Sequence, residues 1–156
     1  MKELACYIHI PFCKHKCIYC DFYSVINFKN IDQYFTSLLK EIDYYSEKLS
    51  SEYTIKTIFF GGGTPSILPP NKIKYIINKL KKKFIVDDLA EITLEANPGT
   101  LTFNKLTKLK ETGVNRLSIG VQSFNNNDLK YLTRIHTSKQ AVEIINSAHK
   151  AGFNNI

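Results

Sequence analysis

Three cysteines near the start of the chain constrain it more than any other feature. Cys13, Cys17 and Cys20 lie in the run Ile-Pro-Phe-Cys-Lys-His-Lys-Cys-Ile-Tyr-Cys-Asp, spaced x3 and then x2. Three thiolates at this spacing can hold three corners of a cubic iron–sulfur cluster and leave the fourth iron without a protein ligand. Structural clusters are normally held by four cysteines. The spacing therefore predicts a site that a small molecule completes, which favours radical chemistry over electron storage.

Other interpretations of these cysteines stay open on spacing alone. Zinc also binds clustered cysteines, and His15 inside the loop would complete a Cys3His set. Closed zinc sites usually take their ligands as two separated pairs, and no second pair follows here. Purely structural thiols are a further alternative. Disulfides are disfavoured, because the thiols are crowded and Met1 leads almost directly into an expected strand rather than a signal peptide.

Length and charge limit the class of protein. At 156 residues the chain is long enough for one domain with a sizeable core. No apolar run approaches the ~20 residues that span a bilayer, so no membrane span is predicted. Four cysteines without an evident targeting segment predict a reducing, cytoplasmic location. The net charge is +7, and its densest basic run is at 79 and 81–83. We interpret that run as a solvated helix face, not a nucleic-acid surface, because no binding motif accompanies it.

Strand and helix patterns alternate along the chain, which predicts an α/β fold of parallel βαβ units. Helical spacing of apolar residues begins at Ile31 and again after Pro70. Two more helices are expected after caps at Thr102 and Ser138, ending at Gly113 and Gly152. The strands are predicted over Ala5–Ile10, Thr57–Phe60, Glu91–Glu95 and Arg116–Val121.

An unusual segment follows each predicted strand. The cysteines follow the first, and the second, third and fourth lead into Gly61-Gly-Gly-Thr-Pro65, Asn97-Pro-Gly99 and Gln122-Ser-Phe124. In β/α barrels functional groups gather at the carboxyl ends of the strands. These four segments are therefore predicted to converge on one site.

Alternation within the strands predicts one apolar face and one polar or small face. Tyr7, Thr93, Glu95, Ser118 and Gln122 share the polar face, whereas Cys6, Ile8 and Ile10 share the apolar one. A polar barrel interior predicts a bound ligand, since most barrel interiors are filled by aliphatic side chains. Cys6 is thereby predicted to be a core residue, not a fourth cluster ligand.

Four motifs together resemble those of radical S-adenosylmethionine (SAM) proteins. They are Tyr7-Ile-His-Ile-Pro-Phe-Cys13-x3-Cys17-x2-Cys20, Gly61-Gly-Gly-Thr-Pro65, Glu95-Ala-Asn-Pro and Arg116-Leu-Ser-Ile-Gly-Val-Gln-Ser-Phe124. They run through the chain in order, and the specific likeness is to the oxygen-independent coproporphyrinogen III oxidase group. The resemblance implies the first four βα units of a partial (βα)6 TIM-like barrel. Residues 1–156 would form a radical SAM core domain that lacks its C-terminal strands and the domain beyond them.

The resemblance also implies a cofactor site. Cys13, Cys17 and Cys20 would hold a [4Fe-4S] cluster whose open iron is chelated by the amino and carboxylate groups of SAM. An electron donor would supply the electron that cleaves SAM to a hydrogen-abstracting 5′-deoxyadenosyl radical. The implied SAM contacts are Tyr7, Gly62, Gly63, Thr64, Glu95, Gln122 and Arg134.

Each implied SAM contact has a structural alternative. Tyr7 is also compatible with an ordinary strand aromatic, and the glycines with a tight turn. Glu95 is compatible with an ion pair inside the barrel, and Arg134 with a solvated charge. For His9, His15 and His136 a structural role is expected.

Two branches of the group fit the chain. A short N-terminal segment, Asp21-Phe22 in place of a further cysteine, and Tyr19 in place of a phenylalanine all resemble the haem chaperones rather than the oxidases. The resemblance therefore favours a haem chaperone, with haem or a porphyrinogen as partner. Oxidation of a porphyrinogen propionate is the alternative, and a zinc module or inactive fragment a minor one. Whether the chain is an enzyme is left open.

The C-terminal residues 151–156 lie where a fifth strand should begin. The resemblance implies that family members continue for about as long again. An unfinished parallel sheet would expose an edge and apolar surface. We therefore expect the isolated chain to be unstable, or to need a partner such as the remaining half as a separate chain. Monomeric, cooperative unfolding without a partner would contradict this expectation.

Overall fold

Four parallel strands lie side by side in the order in which they occur in the chain. The computed structural model describes residues 1–156. It contains one sheet whose strands are β1 (Lys2–Ile10), β2 (Tyr53–Gly62), β3 (Ile85–Ala96) and β4 (Arg116–Ile119). Each neighbouring pair is parallel. The predicted α/β class and its four βα units are confirmed.

Three helices connect successive strands, and two more follow β4. They are α1 (Ile31–Leu49), α2 (Pro70–Lys83), α3 (Phe103–Lys110), α4 (Asn126–Tyr131) and α5 (Ser138–Lys150). Helix α2 buries Ile73, Ile76, Ile77 and Leu80, which recur at the spacing of one helical face. The core lies between these apolar helix faces and the sheet.

The two faces of the sheet differ as the strand alternation predicts. Ile8, Ile58, Leu94 and Leu117 are buried in the core under the helices. Cys6 packs on the edge of the same core, and its burial raises the pKa of its thiol to about 11. The predicted core role of Cys6 is confirmed, since a thiol with a raised pKa is a poor thiolate ligand.

The predicted limits of all four strands were wrong. Strand β1 begins at Lys2 instead of Ala5, and β2 covers Tyr53–Gly62 instead of Thr57–Phe60. Strand β3 begins at Ile85 instead of Glu91, because its first residues pair with Thr54 and Ile55 although Asp87 and Asp88 interrupt the apolar pattern. An ion pair of 2.5 Å between Lys56 and Asp87 joins the two strands there. Strand β4 ends at Ile119 rather than Val121. The backbone turns there, and Gln122 adopts a φ of 74°.

The start of the last helix also differs from the prediction. Thr137, not Ser138, is its N-cap. Thr137 Oγ1 accepts from the backbone N–H of Gln140 at 3.2 Å, and Gln140 Oε1 accepts from the backbone N–H of Thr137 at 2.9 Å. This reciprocal pair is a capping box, and it places the first helical residue at Ser138. The short helix α4 was not predicted, because six residues are too few for a helical period to show.

The lysine run on α2 is only partly a solvated face. Lys81 and Lys82 are exposed, but Lys79 and Lys83 both pair with Asp43 of α1, at 2.6 and 3.0 Å. Their hydrogen bonds, that from Lys79 first, lower the pKa of the Asp43 carboxyl. Half of the run therefore joins two neighbouring helices.

The last residues of the chain lie beside the free edge of the sheet. Asn155 forms an isolated parallel bridge with Arg116, and its carbonyl accepts from the N–H of Leu117 at 3.1 Å. The chain thus reaches the free edge of β4 where a fifth strand was expected.

None of the helices has the length and apolar character that a membrane crossing requires.

The capping box allows a direct test of the start of α5. We expect Thr137→Ala to lower the free energy of unfolding by about 1 kcal/mol, because an orphan helix N–H then loses its acceptor. Ser138→Ala is the matched control, since Ser138 is the first helical residue and not the cap. Urea unfolding of both variants gives the comparison. An equal or larger effect of Ser138→Ala would contradict the assignment.

Candidate functional site

One cavity of about 560 Å³ lies at the carboxyl ends of the strands. All four segments that follow the strands contribute to its wall, as the sequence predicts. Nine of the ten predicted site residues line it: Cys13, Cys17, Cys20, Gly62, Gly63, Thr64, Glu95, Gln122 and Arg134. The tenth, Tyr7, lies outside the wall.

The cysteine loop begins where β1 ends. Phe12 and Val25 form a parallel bridge that closes the base of the loop, and the N–H of Cys13 donates to the carbonyl of Val25 at 3.0 Å. Within the loop the N–H of Cys20 donates to the carbonyl of Cys17 at 3.0 Å, which forms a turn. Cys13 is buried, whereas Cys17 and Cys20 are half-buried.

The glycine turn after β2 packs against this loop. The N–H of Gly63 donates to the carbonyl of Ile10 at 2.9 Å, and the N–H of Thr64 donates to that of Phe12 at 2.8 Å. A Cβ on Gly63 would lie 2.7 Å from the Phe12 carbonyl oxygen and 3.0 Å from Cys13 Sγ. Only glycine fits this approach of two backbones. Thr64 Oγ1 lies 3.5 Å from Cys13 Sγ, so the turn contacts the first cysteine directly.

The placement of the thiols bears on which metal group fits. No three Cys, His, Asp or Glu side chains converge on the position of a single metal ion. Zinc–sulfur bonds of about 2.3 Å require ligand sulfurs that almost touch. A cubic cluster instead separates its cysteines by its own width. Three thiols that line one cavity without converging on one metal position are compatible with such a cluster.

Glu95 lines the cavity near the end of β3. Its Oε2 accepts from the backbone N–H of Gly62 at 3.2 Å. Partial burial raises the pKa of the Glu95 carboxyl, although the Gly62 hydrogen bond and the nearby His9 act in the other direction. No ion pair in the structure includes Glu95. The alternative of an ion pair inside the barrel is therefore wrong for this residue.

Gln122 and Arg134 complete the wall beyond β4. Gln122 has a left-handed backbone with φ 74°, which is uncommon for a residue other than glycine. Arg134 is half-buried, and its Nη2 donates to the carbonyl of Gly120 at 2.6 Å. Its Nη1 lies 3.4 Å from Cys17 Sγ and 3.2 Å from Tyr19 Oη. Arg134 is thus not the solvated charge that was the structural alternative.

Tyr7 lies on β1 and remains mostly exposed. Its ring stacks on Phe59 and lies over Gly61, where a Cβ would come within 2.8 Å of it. Its hydroxyl donates to His9 Nδ1 at 3.2 Å, and His9 Nε2 in turn donates to the carbonyl of Tyr23 at 3.0 Å. The structure therefore gives Tyr7 and His9 roles in packing at the strand ends.

His136 and His15, the other two histidines for which a structural role was predicted, differ in their surroundings. His136 is buried and its Nε2 donates to the carbonyl of Val121 at 3.1 Å, in agreement with the expected structural role. Burial, with a contribution from Arg134, lowers the pKa of His136. His15 is exposed and lines the cavity, so the structure gives it no comparable packing role.

Several wall residues were not predicted as site residues. They are His15, Tyr19, Asp21, Phe22, Ala96, Asn97, Ser118 and Gly120. Ser118 and Gly120 lie on the polar strand face, so alternation alone could have identified them. Asn97 follows β3 directly and caps the next turn by accepting from the N–H of Gly99 at 3.1 Å. The loop residues, from His15 to Phe22, carry no periodic signal.

Comparison with known proteins agrees with the motifs and the geometry. The sequence profile of the Radical SAM superfamily matches residues 7–156. The chain belongs to the radical SAM superfamily. As a radical SAM protein it has the three-cysteine loop and the glycine turn on the first two of its strands.

Its relatives narrow the likeness within that superfamily. The chain is 41% identical to the heme chaperone HemW of Buchnera aphidicola subsp. Schizaphis graminum, over 99% of its own length and 41% of the relative's. It is 40% identical to HemW of Bacillus subtilis, over 97% of the chain and 40% of the relative. A solved structure of coproporphyrinogen III oxidase (HemN) from Escherichia coli superposes with a TM-score of 0.89 at 29% identity, covering 98% of this chain and 35% of that one. The radical SAM chain thus spans about two fifths of the length of its curated relatives.

The contact between the glycine turn and the cysteine loop can be tested with one methyl group. We expect Gly63→Ala to lower stability by about 1–3 kcal/mol, because its Cβ overlaps the Phe12 carbonyl. The iron bound after anaerobic reconstitution should fall as well, since the added methyl also presses on Cys13 Sγ.

Gly99→Ala is the matched control for this substitution. The nearest atom to its Cβ is at 3.5 Å, an ordinary contact, so the change should stay within about 0.5 kcal/mol. Equal stability and iron content in both variants would contradict the close approach.

The raised pKa of Glu95 predicts a pH-dependent cost to stability. The pKa of the Glu95 carboxyl is higher in the folded than in the unfolded state, so folding favours its neutral form. Ionisation therefore lowers the free energy of unfolding as the pH rises above the unfolded-state pKa, and the full cost is reached above the folded-state pKa. We expect Glu95→Gln to be more stable than the wild type at about pH 7. The difference should vanish below the ordinary glutamate pKa of 4.5, where both states are neutral.

Unfolding in urea at several pH values measures this difference. Glu111→Gln is the control, since Glu111 is exposed at the end of α3. A Glu95→Gln variant that is less stable than the wild type at neutral pH would show that burial is not the dominant influence on the pKa of Glu95.

Proposed function

We propose that the chain is the SAM-binding part of a radical SAM protein of the haem chaperone type. The observation that carries the proposal is the single cavity in which three cysteines face a glycine turn and a half-buried glutamate. The identity of about 40% to proteins named heme chaperone HemW supports the haem-related part. The chain spans about two fifths of the length of those relatives, so their whole activity enters here only as a proposal.

In this proposal Cys13, Cys17 and Cys20 would hold a [4Fe-4S] cluster. When bound and reduced by an external donor, such a cluster would supply the electron for cleavage of SAM. The chain's own residues bind and orient SAM. Glycines at 62 and 63 let the ligand approach the backbone, and Thr64 holds the turn against Cys13.

The remaining polar wall residues bind the other parts of SAM. Glu95 accepts from the two ribose hydroxyls, a role that suits a carboxylate with four acceptor sites. Gln122 and Arg134 supply further donors beyond β4. The proposal extends to Tyr7, which lies outside the cavity wall but contacts Gly61 beside the glycine turn. A half-buried carboxylate that has no cationic partner is suited to a ligand that donates to it.

Haem or a porphyrinogen is the proposed cargo or substrate, and a reducing, cytoplasmic compartment keeps the free thiols available. The second candidate is oxidation of coproporphyrinogen III, which the likeness to HemN favours. An inactive fragment is a further outcome. The chaperone is preferred because HemW proteins match at higher identity, over nearly the whole chain.

Electron paramagnetic resonance tests the cluster and SAM together. We expect the anaerobically reconstituted, reduced protein to give a cubic-cluster signal that shifts when SAM is added. Cys17→Ala should abolish the signal, because one of only three protein ligands is lost. Cys6→Ala is the matched control and should retain it, since Cys6 packs against the core on the helix-facing side of β1 and does not line the cavity. No cluster, or a cluster that does not respond to SAM, would contradict the proposal.

Haem and porphyrinogen assays then separate the two candidate functions. Stoichiometric haem binding without porphyrinogen turnover supports the chaperone. Turnover to protoporphyrinogen would overturn it in favour of the oxidase. Neither activity would favour the inactive fragment.

A further inference from the structure

Arg134 joins two of the loops that form the cavity. Its Nη2 donates to the carbonyl of Gly120 at 2.6 Å, in the loop after β4. Its Nη1 reaches the cysteine loop, 3.4 Å from Cys17 Sγ and 3.2 Å from Tyr19 Oη. The Arg134 guanidinium therefore contacts both the sulfur of Cys17, a proposed cluster ligand, and the backbone just after β4.

The positive charge of Arg134 has no carboxylate partner. None of the seven ion pairs includes it, and its Nε is buried without a hydrogen-bond partner. Arg116, the only other arginine, pairs with Glu91 at 3.5 Å at the opposite end of β4. The Arg134 charge is thus partly removed from water and lies beside the Cys17 sulfur, where electrostatic interactions are stronger than in solvent.

The backbone fixes the guanidinium in this place. Thr133 has a left-handed φ of 55°, which is rare for a β-branched residue. Its Oγ1 accepts from the N–H of Ile18 at 3.1 Å, so it is fastened to the cysteine loop. The N–H of Arg134 donates to the carbonyl of Leu129 at 2.8 Å. The strained backbone of Thr133 and these two hydrogen bonds together indicate that the Arg134 side chain is held in a defined position.

We infer that Arg134 stabilises the reduced cluster through the Cys17 sulfur and so raises the cluster's midpoint potential. One-electron reduction adds a negative charge that spreads onto the ligand sulfurs. Hydrogen bonds to those sulfurs and nearby charge are the levers by which proteins set such potentials. This role is separate from any contact of Arg134 with SAM. It rests on the proposed cluster but not on the proposed handling of haem.

A potentiometric titration of the reconstituted protein, followed by electron paramagnetic resonance without SAM, tests this role. Arg134→Gln removes the charge, and we expect its cluster to be reduced about tenfold less favourably, a midpoint about 59 mV more negative. Arg116→Gln removes the same charge from the far end of β4 and should leave the midpoint unchanged. Arg134→Lys keeps the charge without the forked donors and should shift the midpoint less than Arg134→Gln does.

Several outcomes would overturn the inference. A wild-type midpoint in Arg134→Gln, or equal shifts in Arg134→Gln and Arg116→Gln, would exclude a local effect on Cys17. Loss of the cluster in both Arg134 variants would leave Arg134 with a structural role alone. If Arg134→Gln assembles no cluster, an Arg134→Lys cluster with a more negative midpoint still supports the inference, and one at the wild-type midpoint overturns it. Absence of a cluster from the wild-type protein would defeat the proposed function, and this inference with it.

Discussion

The site depends on two backbone hydrogen bonds that continue the β1–β2 ladder beyond the end of the sheet. The N–H groups of Gly63 and Thr64 donate to the carbonyls of Ile10 and Phe12, so the glycine turn lies directly on the first residues of the cysteine loop. Parallel pairing brings the carboxyl ends of both strands to the same edge, and these two bonds extend that alignment into irregular backbone. Without them the turn and the thiols would belong to separate surface loops.

This constraint explains why the glycines cannot be replaced by other small residues. Two backbones approach so closely at Gly63 that even a methyl group would overlap a carbonyl oxygen. At Gly62 the backbone is left-handed, with φ 110°, and a Cβ would meet the His9 ring at 2.8 Å. The sequence motif is therefore a packing requirement, in addition to the ligand-binding role that we propose for it. Both functions select the same residue type, because each requires backbone without a side chain above it.

How far the sequence predicts the structure varies with the physical origin of each feature. Helices α1 and α2 and the two strand faces were predictable, since burial imposes a period on residues such as Ile73 and Ile76. The convergence of the site followed from parallel strands alone. The early start of β3 was not predictable, because Ile85 and Val86 pair with β2 through backbone groups that have no sequence signature. The positions of Arg134 and Tyr19 in one cavity depend on long-range contacts of the loops, which no local pattern encodes.

Glu95 and Arg134 bond to backbone atoms of the cavity rather than to each other. Glu95 and Arg134 both line the wall and carry opposite charges, yet they bond separately to the Gly62 N–H and the Gly120 carbonyl. An ion pair between them would offset part of the cost of burying each charge. Keeping them apart leaves an acceptor on the β3 side and a cationic donor on the cysteine side. Under the proposed function, the ligand would donate hydroxyl groups to Glu95 and place an anionic group beside Arg134. Binding would then offset the cost of burying both charges, which is the usual relation between destabilised sites and their function.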